Sequence, residues 1–217
     1  SSFGMVQVIW VIGISMIVMA ALIYLPIKAV GAVGVGMIAI HNLFDRFQVP
    51  PETAFMGTPP PDLSQILMMV FHQQGLVPIP GTTGLFVAYP LIPWIGVMAA
   101  GYAFGMLYAA ERGRRRKWLA VLGVTLTLLF IVIRLTNAYG DPSAWAVQDT
   151  PGFTFLSFLN TTKYPPSLLF LLMTLGPAML VLAVTDNIDG KAIWQRICIT
   201  FGRVPMFFYI LQWFTAH

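Results

Sequence analysis

The stretch Ala110-Glu111-Arg112-Gly113-Arg114-Arg115-Arg116-Lys117-Trp118 decides the fold. Residues 84–110 before it carry no charge, and the apolar run 118–135 after it is broken only by Arg134. A bilayer core about 30 Å thick takes about 20 helical residues to cross. A basic cluster wedged between two runs of that length marks a cytoplasmic loop. The chain therefore reads as an integral membrane protein, with Arg112–Lys117 on the cytoplasmic side.

Composition agrees. Of 217 residues, 58% are hydrophobic and 9% charged, against about 25% charged in soluble domains. So few polar groups cannot cover a surface in water. The formal net charge of +4 arises largely from Arg112, Arg114, Arg115, Arg116 and Lys117. These residues form a topogenic patch, which argues against a nucleic-acid face. The single cysteine, Cys198, excludes an internal disulfide. Neither a charged leader nor a small-residue cleavage site opens the chain. Ser1 at one end and an apolar run reaching His217 at the other lead us to expect a piece of a longer protein, truncated at both ends.

Working outward from the basic cluster, the apolar runs are 5–25, 29–43, 85–110, 118–139, 165–184 and 197–217. The expected fold is all-α: a single polytopic transmembrane helix bundle over residues 1–217, with about six spans. Run 29–43 is short and carries Gly31, Gly34 and Gly36, a spacing that permits close helix approach in lipid. Residues 45–84 hold seven prolines and cannot form one helix. Within them, residues 63–73 are apolar but too short to span, which suits a re-entrant or interfacial helix capped by Asp62 or Ser64. The loop 140–162 contains the apolar piece 153–159. Alternation from the basic cluster puts Lys28, Lys191 and Arg196 inside, and Arg46 and Lys163 outside.

The same alternation delivers polar residues from separate segments to the outer face. His41, Asn42 and Asp45 end the second run, and His72 lies in the outer stretch. Arg134, Asn137, Tyr139 and Asp141 close the fourth run, while Asn160, Lys163 and Tyr164 precede the fifth. Arg134 sits about 24 Å along its helix from Trp118. An ionisable group there faces the protein interior with a partner, Asp45 or Asp141, unless it snorkels to the headgroups. His41 and His72 are candidate general bases near neutrality, or hydrogen-bonded structural groups. Lys163 and Tyr164 suit an anionic group or an interfacial anchor. No phosphate loop, nucleophile elbow, zinc spacing or dinucleotide fingerprint is present, and no metal is expected.

Several strings carry a family resemblance: His41-Asn-Leu-Phe-Asp45; Tyr89-Pro-Leu-Ile-Pro-Trp-Ile-Gly96; Arg134-Leu-Thr-Asn-Ala-Tyr-Gly-Asp-Pro142; Phe155-Leu-Ser-Phe-Leu-Asn-Thr-Thr-Lys-Tyr-Pro-Pro-Ser167; and Phe201-Gly-Arg-Val-Pro205. Together the chain resembles a bacterial membrane family related to the catalytic domain of heparan-alpha-glucosaminide N-acetyltransferase. The resemblance implies an inner-membrane acyltransferase. It would take the acyl group from acetyl-CoA or another acyl-CoA and pass it to a sugar or other extracytoplasmic acceptor. In that reading His41, Asp45 and His72 are the candidate catalytic groups. Asn42, Arg134, Asn137, Tyr139, Asp141, Asn160, Lys163 and Tyr164 are the candidate substrate-binding groups. Proline-broken helices and an embedded arginine also fit a transporter or flippase, and a non-enzymatic membrane subunit stays open.

Overall fold

The computed structural model describes residues 4–81, 84–186, 188 and 192–215. Lys191 and His217 lie outside the described residues. The fold is nearly all helical. Four described helical segments are long and apolar enough to cross a bilayer: Ile27–Phe47, Leu91–Ala109, Arg112–Thr136 and Leu168–Thr185. The chain is a membrane protein by that measure.

Helix α1 (Val8–Leu22) is followed by α2 (Ile27–Ile40), which continues as a 3-10 turn over His41–Phe47. Two short helices, α3 (Pro51–Met56) and α4 (Leu63–Phe71), lie in the stretch between α2 and α5. Helix α5 (Leu91–Phe104) runs back to the basic cluster, ending in a 3-10 turn over Gly105–Ala109. Helix α6 (Arg112–Thr136), the short α7 (Pro151–Leu159) and α8 (Leu168–Thr185) follow. Helices α9 (Ile193–Arg203) and α10 (Pro205–Thr215) close the described chain.

The all-α expectation needs one correction. A three-stranded sheet forms in the order β1 (Gly4–Val6), β3 (Leu85–Val87), β2 (Gly75–Val77). Strand β1 is parallel to β3, with Gly4 opposite Leu85, and β2 is antiparallel to it. Strands β1 and β3 draw on the starts of the apolar runs at 5–25 and 85–110, so both helices start later than expected. Gly84, at φ +112°, makes the turn into β3, a conformation that a side chain would strain. Run 197–217 also divides, because Pro205 supplies no N–H to continue α9.

The bundle consists of two tight helical pairs, α2 against α5 and α6 against α8. Glycines set both approaches. A Cβ on Gly34 would lie 2.8 Å from the Gly96 carbonyl oxygen and 2.9 Å from the Ala99 carbonyl carbon. On Gly123 it would meet Leu180, and on Gly176 it would lie 2.9 Å from Thr127 N. Of the three glycines singled out in α2, Gly31 and Gly34 face α5 while Gly36 faces open space. Gly34→Ala should therefore lower stability by about 1–3 kcal/mol through overpacking. Gly36→Ala should be neutral or raise it by about 0.5–1 kcal/mol. Thermal unfolding of the two variants side by side in one detergent checks the difference.

At the basic end, Arg115 grips Asp186 with two hydrogen bonds, Nε to Oδ1 at 2.7 Å and Nη2 to Oδ2 at 3.1 Å. This fork ties the start of α6 to the end of α8, a geometry suited to the planar guanidinium.

Candidate functional site

The opposite end of the bundle gathers the polar residues. The 3-10 turn after α2 turns His41, Asn42 and Asp45 toward the start of α8 and the end of α4. The Asn42 side chain donates to Asp45 Oδ2 at 2.8 Å and accepts from Leu168 N at 2.9 Å. Asp45 Oδ1 lies 2.8 Å from His72 Nε2. His72 is itself placed by α4, which starts with a reciprocal cap: Asp62 Oδ1 accepts from Gln65 N at 2.9 Å, and Gln65 Oε1 accepts from Asp62 N at 3.0 Å. These bonds hold the exposed Asp62 carboxyl below the usual carboxylate range, first through Gln65 N and then through Ser64. Of the two cap candidates, Asp62 is the one used.

The two histidines are 5.9 Å apart, centroid to centroid, and both are buried, but their ring atoms are used differently. His41 Nδ1 lies 2.8 Å from the Ile38 carbonyl and Nε2 lies 3.0 Å from the Pro166 carbonyl. Both nitrogens face carbonyl oxygens, so the neutral ring donates to one of them and turns the lone pair of its other nitrogen toward the second. His72 uses only Nε2; its Nδ1 is buried and has no partner. A carboxylate only accepts, so Asp45 fixes the proton on Nε2 of the neutral ring and leaves the lone pair on Nδ1. Phe44 packs on this ring at 5.7 Å. His72 lines a cavity of about 610 Å³ whose other walls include Phe44, Phe47, Met68, Phe71 and Ile92.

Arg134 has a separate job. It is only 1% exposed, and neither Asp45 nor Asp141 pairs with it. Its Nε donates to the Phe158 carbonyl at 2.9 Å and Nη1 to the Ser143 carbonyl at 2.7 Å. Nη2 donates to the carbonyls of Ser157 at 3.2 Å and Asn160 at 2.5 Å. Three of these four oxygens belong to the last turn of α7 and its cap, where helix carbonyls have no intrahelical partner and carry partial negative charge. The expected carboxylate is thus replaced by a helix C-terminus, and burial inside protein replaces snorkelling.

The neighbours of Arg134 complete the same loop. Asn137, at φ 48°, donates to the Trp145 carbonyl at 2.9 Å and accepts from Trp145 N at 3.1 Å. Asp141 accepts from Ser143 N, Thr162 N, Thr162 Oγ1 and Ser167 Oγ at 2.6–3.0 Å. Asn160 contributes its carbonyl to Arg134. The structure assigns Arg134, Asn137 and Asp141 to holding residues 137–167 in shape. Tyr139 bridges to the histidine cluster, donating to the Ala39 carbonyl at 2.5 Å. Burial, and then the charge of Asp45, push its phenol up.

Lys163 and Tyr164 form a third group. Lys163 Nζ lies 4.9 Å from the centroid of the Tyr164 ring, and the Tyr164 hydroxyl is 3.2 Å from that of Tyr89. Tyr89, in turn, packs on Trp94 at 5.8 Å. Tyr89 carries no assigned role in the sequence motif that contains it. Its signal was the Tyr-Pro step leading into α5. The hydrogen bond to Tyr164 pushes Tyr89 up to about 12, while that bond and then Lys163 push Tyr164 down. One proton of the pair should therefore leave below the usual phenol value of about 10, and Tyr164→Phe should abolish that early step. Tyrosinate absorbance during an alkaline titration reads it directly.

Among the described residues, no group of three His, Cys, Asp or Glu side chains is placed to hold a metal ion. No family model, curated protein or solved structure matches the chain.

Proposed function

We propose that the protein is a membrane acyltransferase in which His72, oriented by Asp45, is the general base. The observation that carries this reading is the Asp45–His72 pair, with its second ring nitrogen unpartnered in a ring that borders a cavity. A base held by a carboxylate through one nitrogen presents the other to a proton. In the proposed reaction His72 Nδ1 takes the proton from an acceptor hydroxyl or amine. The freed oxygen or nitrogen attacks the carbonyl carbon of an acyl-CoA, and the C–S bond breaks as the tetrahedral oxyanion collapses. The thiolate leaves with the proton returned from His72. The exposed Tyr164 hydroxyl, two residues from the Pro166 carbonyl that meets His41, is the proposed donor to the oxyanion.

The reading extends to the family whose strings the chain resembles and to a bacterial inner membrane with Arg112–Lys117 inside. It includes six crossings, with α1 and the α9–α10 region as the outermost two. The acceptor is then extracytoplasmic, because the histidine cluster lies at the end of the bundle opposite the basic cluster. Incubating the full-length protein with radiolabelled acetyl-CoA and a cell-envelope extract tests the activity. A labelled product dependent on the protein supports it, and its absence with sugar and lipid fractions alike overturns it.

A further inference from the structure

Each helical pair is tight within itself, yet the space between the pairs is open. A cavity of about 550 Å³ separates α2 and α5 from α6 and α8. All the residues named along its wall are apolar, among them Val35, Val97, Leu126, Leu129 and Leu172. The cavity follows α6 from Leu122 to Ile133, a rise of about 16 Å. All four walls are segments long and apolar enough to span, so lipid is the surrounding medium at this depth.

The outer end of the slot is the floor of the histidine cluster. Ile38, Ala39 and Leu168 line the slot, and their backbone groups bond His41, the Tyr139 hydroxyl and the Asn42 side chain. Water has no polar partner along such a wall and stays out, while an empty slot forfeits dispersion contacts on every side.

We propose that the slot binds one hydrocarbon chain of a membrane lipid, whose headgroup lies against the His41–Asp45–His72 cluster. The acceptor of the acyl transfer is then lipid-borne, an extension that rests on the acyltransferase reading; the binding of the chain does not. The geometry supplies what such a ligand needs: a dry sleeve of matching depth, and polar groups only at its mouth.

The full-length protein, reconstituted in vesicles containing phosphatidylglycerol with a diazirine near the end of one acyl chain, provides the test. Irradiation without any acyl donor should attach lipid to peptides carrying wall residues such as Val97 and Leu129. Gly101 lines the slot, and a Cβ there meets open space. Gly101→Phe should lower wall adducts about tenfold, the effect of excluding roughly two methylenes. Val35→Phe fills the slot from the opposite wall and should act alike, so a folding defect in one variant leaves the other informative. Val121→Phe, on an exposed face of α6, should leave wall adducts unchanged. Adducts confined to exposed positions such as Val132 and Val184, or wall adducts indifferent to both filling variants, overturn the proposal. Wall labelling in a protein that transfers no acyl group would sink the catalytic reading and leave lipid binding standing.

Discussion

Arg134→Leu is expected to destabilise the protein by about 3–5 kcal/mol, at the upper end of single-substitution effects, because four carbonyls lose a charged donor. The side chain supplies the donors for four carbonyls, on Ser143, Ser157, Phe158 and Asn160. Each lost bond to a charged group is worth about 1.5–3 kcal/mol, or less where water re-enters. Loop 137–167 should loosen first, so limited proteolysis should cut it while the spans remain intact. Arg134→Lys should recover only part of the loss, because one ammonium cannot reproduce a planar fork. The partners are neutral carbonyls, so added salt should change the effect little. A Leu variant within about 0.5 kcal/mol of the parent, the ordinary range for surface changes, would show that the clamp does not form.

His72→Gln is expected to reduce acyl transfer by about 10²–10⁴-fold, the usual contribution of a positioned base. Glutamine keeps an N–H for Asp45 but has no basic lone pair, so folding should survive. Asp45→Asn should be nearly as damaging to rate. Its amide would donate to Nε2 and drive the proton onto Nδ1, removing the acceptor site. His41→Gln should act mainly on stability, since both ring nitrogens already meet carbonyls. Rates and unfolding midpoints measured on the same three preparations separate these roles. A His72→Gln enzyme with parental rate, beside an inactive His41→Gln enzyme, would transfer the base assignment to His41.

The spans were legible because hydropathy and basic charge are local properties. Residues 118–136 and 168–184 needed no knowledge of their neighbours to read as helices, whereas the basic residues 112–117, expected as a loop, form the first turns of α6. The shortened α1 was not legible, since β1 forms only by pairing Gly4 with Leu85, far along the chain. Topology alone was enough to predict that His41, Asp45 and His72 reach the same face. Their connection was not predictable, because it depends on the path of residues 45–84, where prolines erase any periodic signal. Arg134 was correctly singled out as embedded. Its partner was missed because a search for counter-charges overlooks carbonyls, and the C-terminus of α7 is an acceptor only once that helix has formed.

Helix α6 also works as a ruler. Arg115 is pinned at one end by Asp186 and Arg134 at the other by α7, and the 19 helical steps from one to the other rise about 28 Å. Both guanidiniums, 19 helical steps apart, are fixed to protein, so neither can slide along the helix axis to suit a different lipid thickness. In a bilayer appreciably thicker or thinner than about 30 Å, the membrane must deform around this gauge, and the protein should partition toward lipids whose hydrocarbon depth matches it.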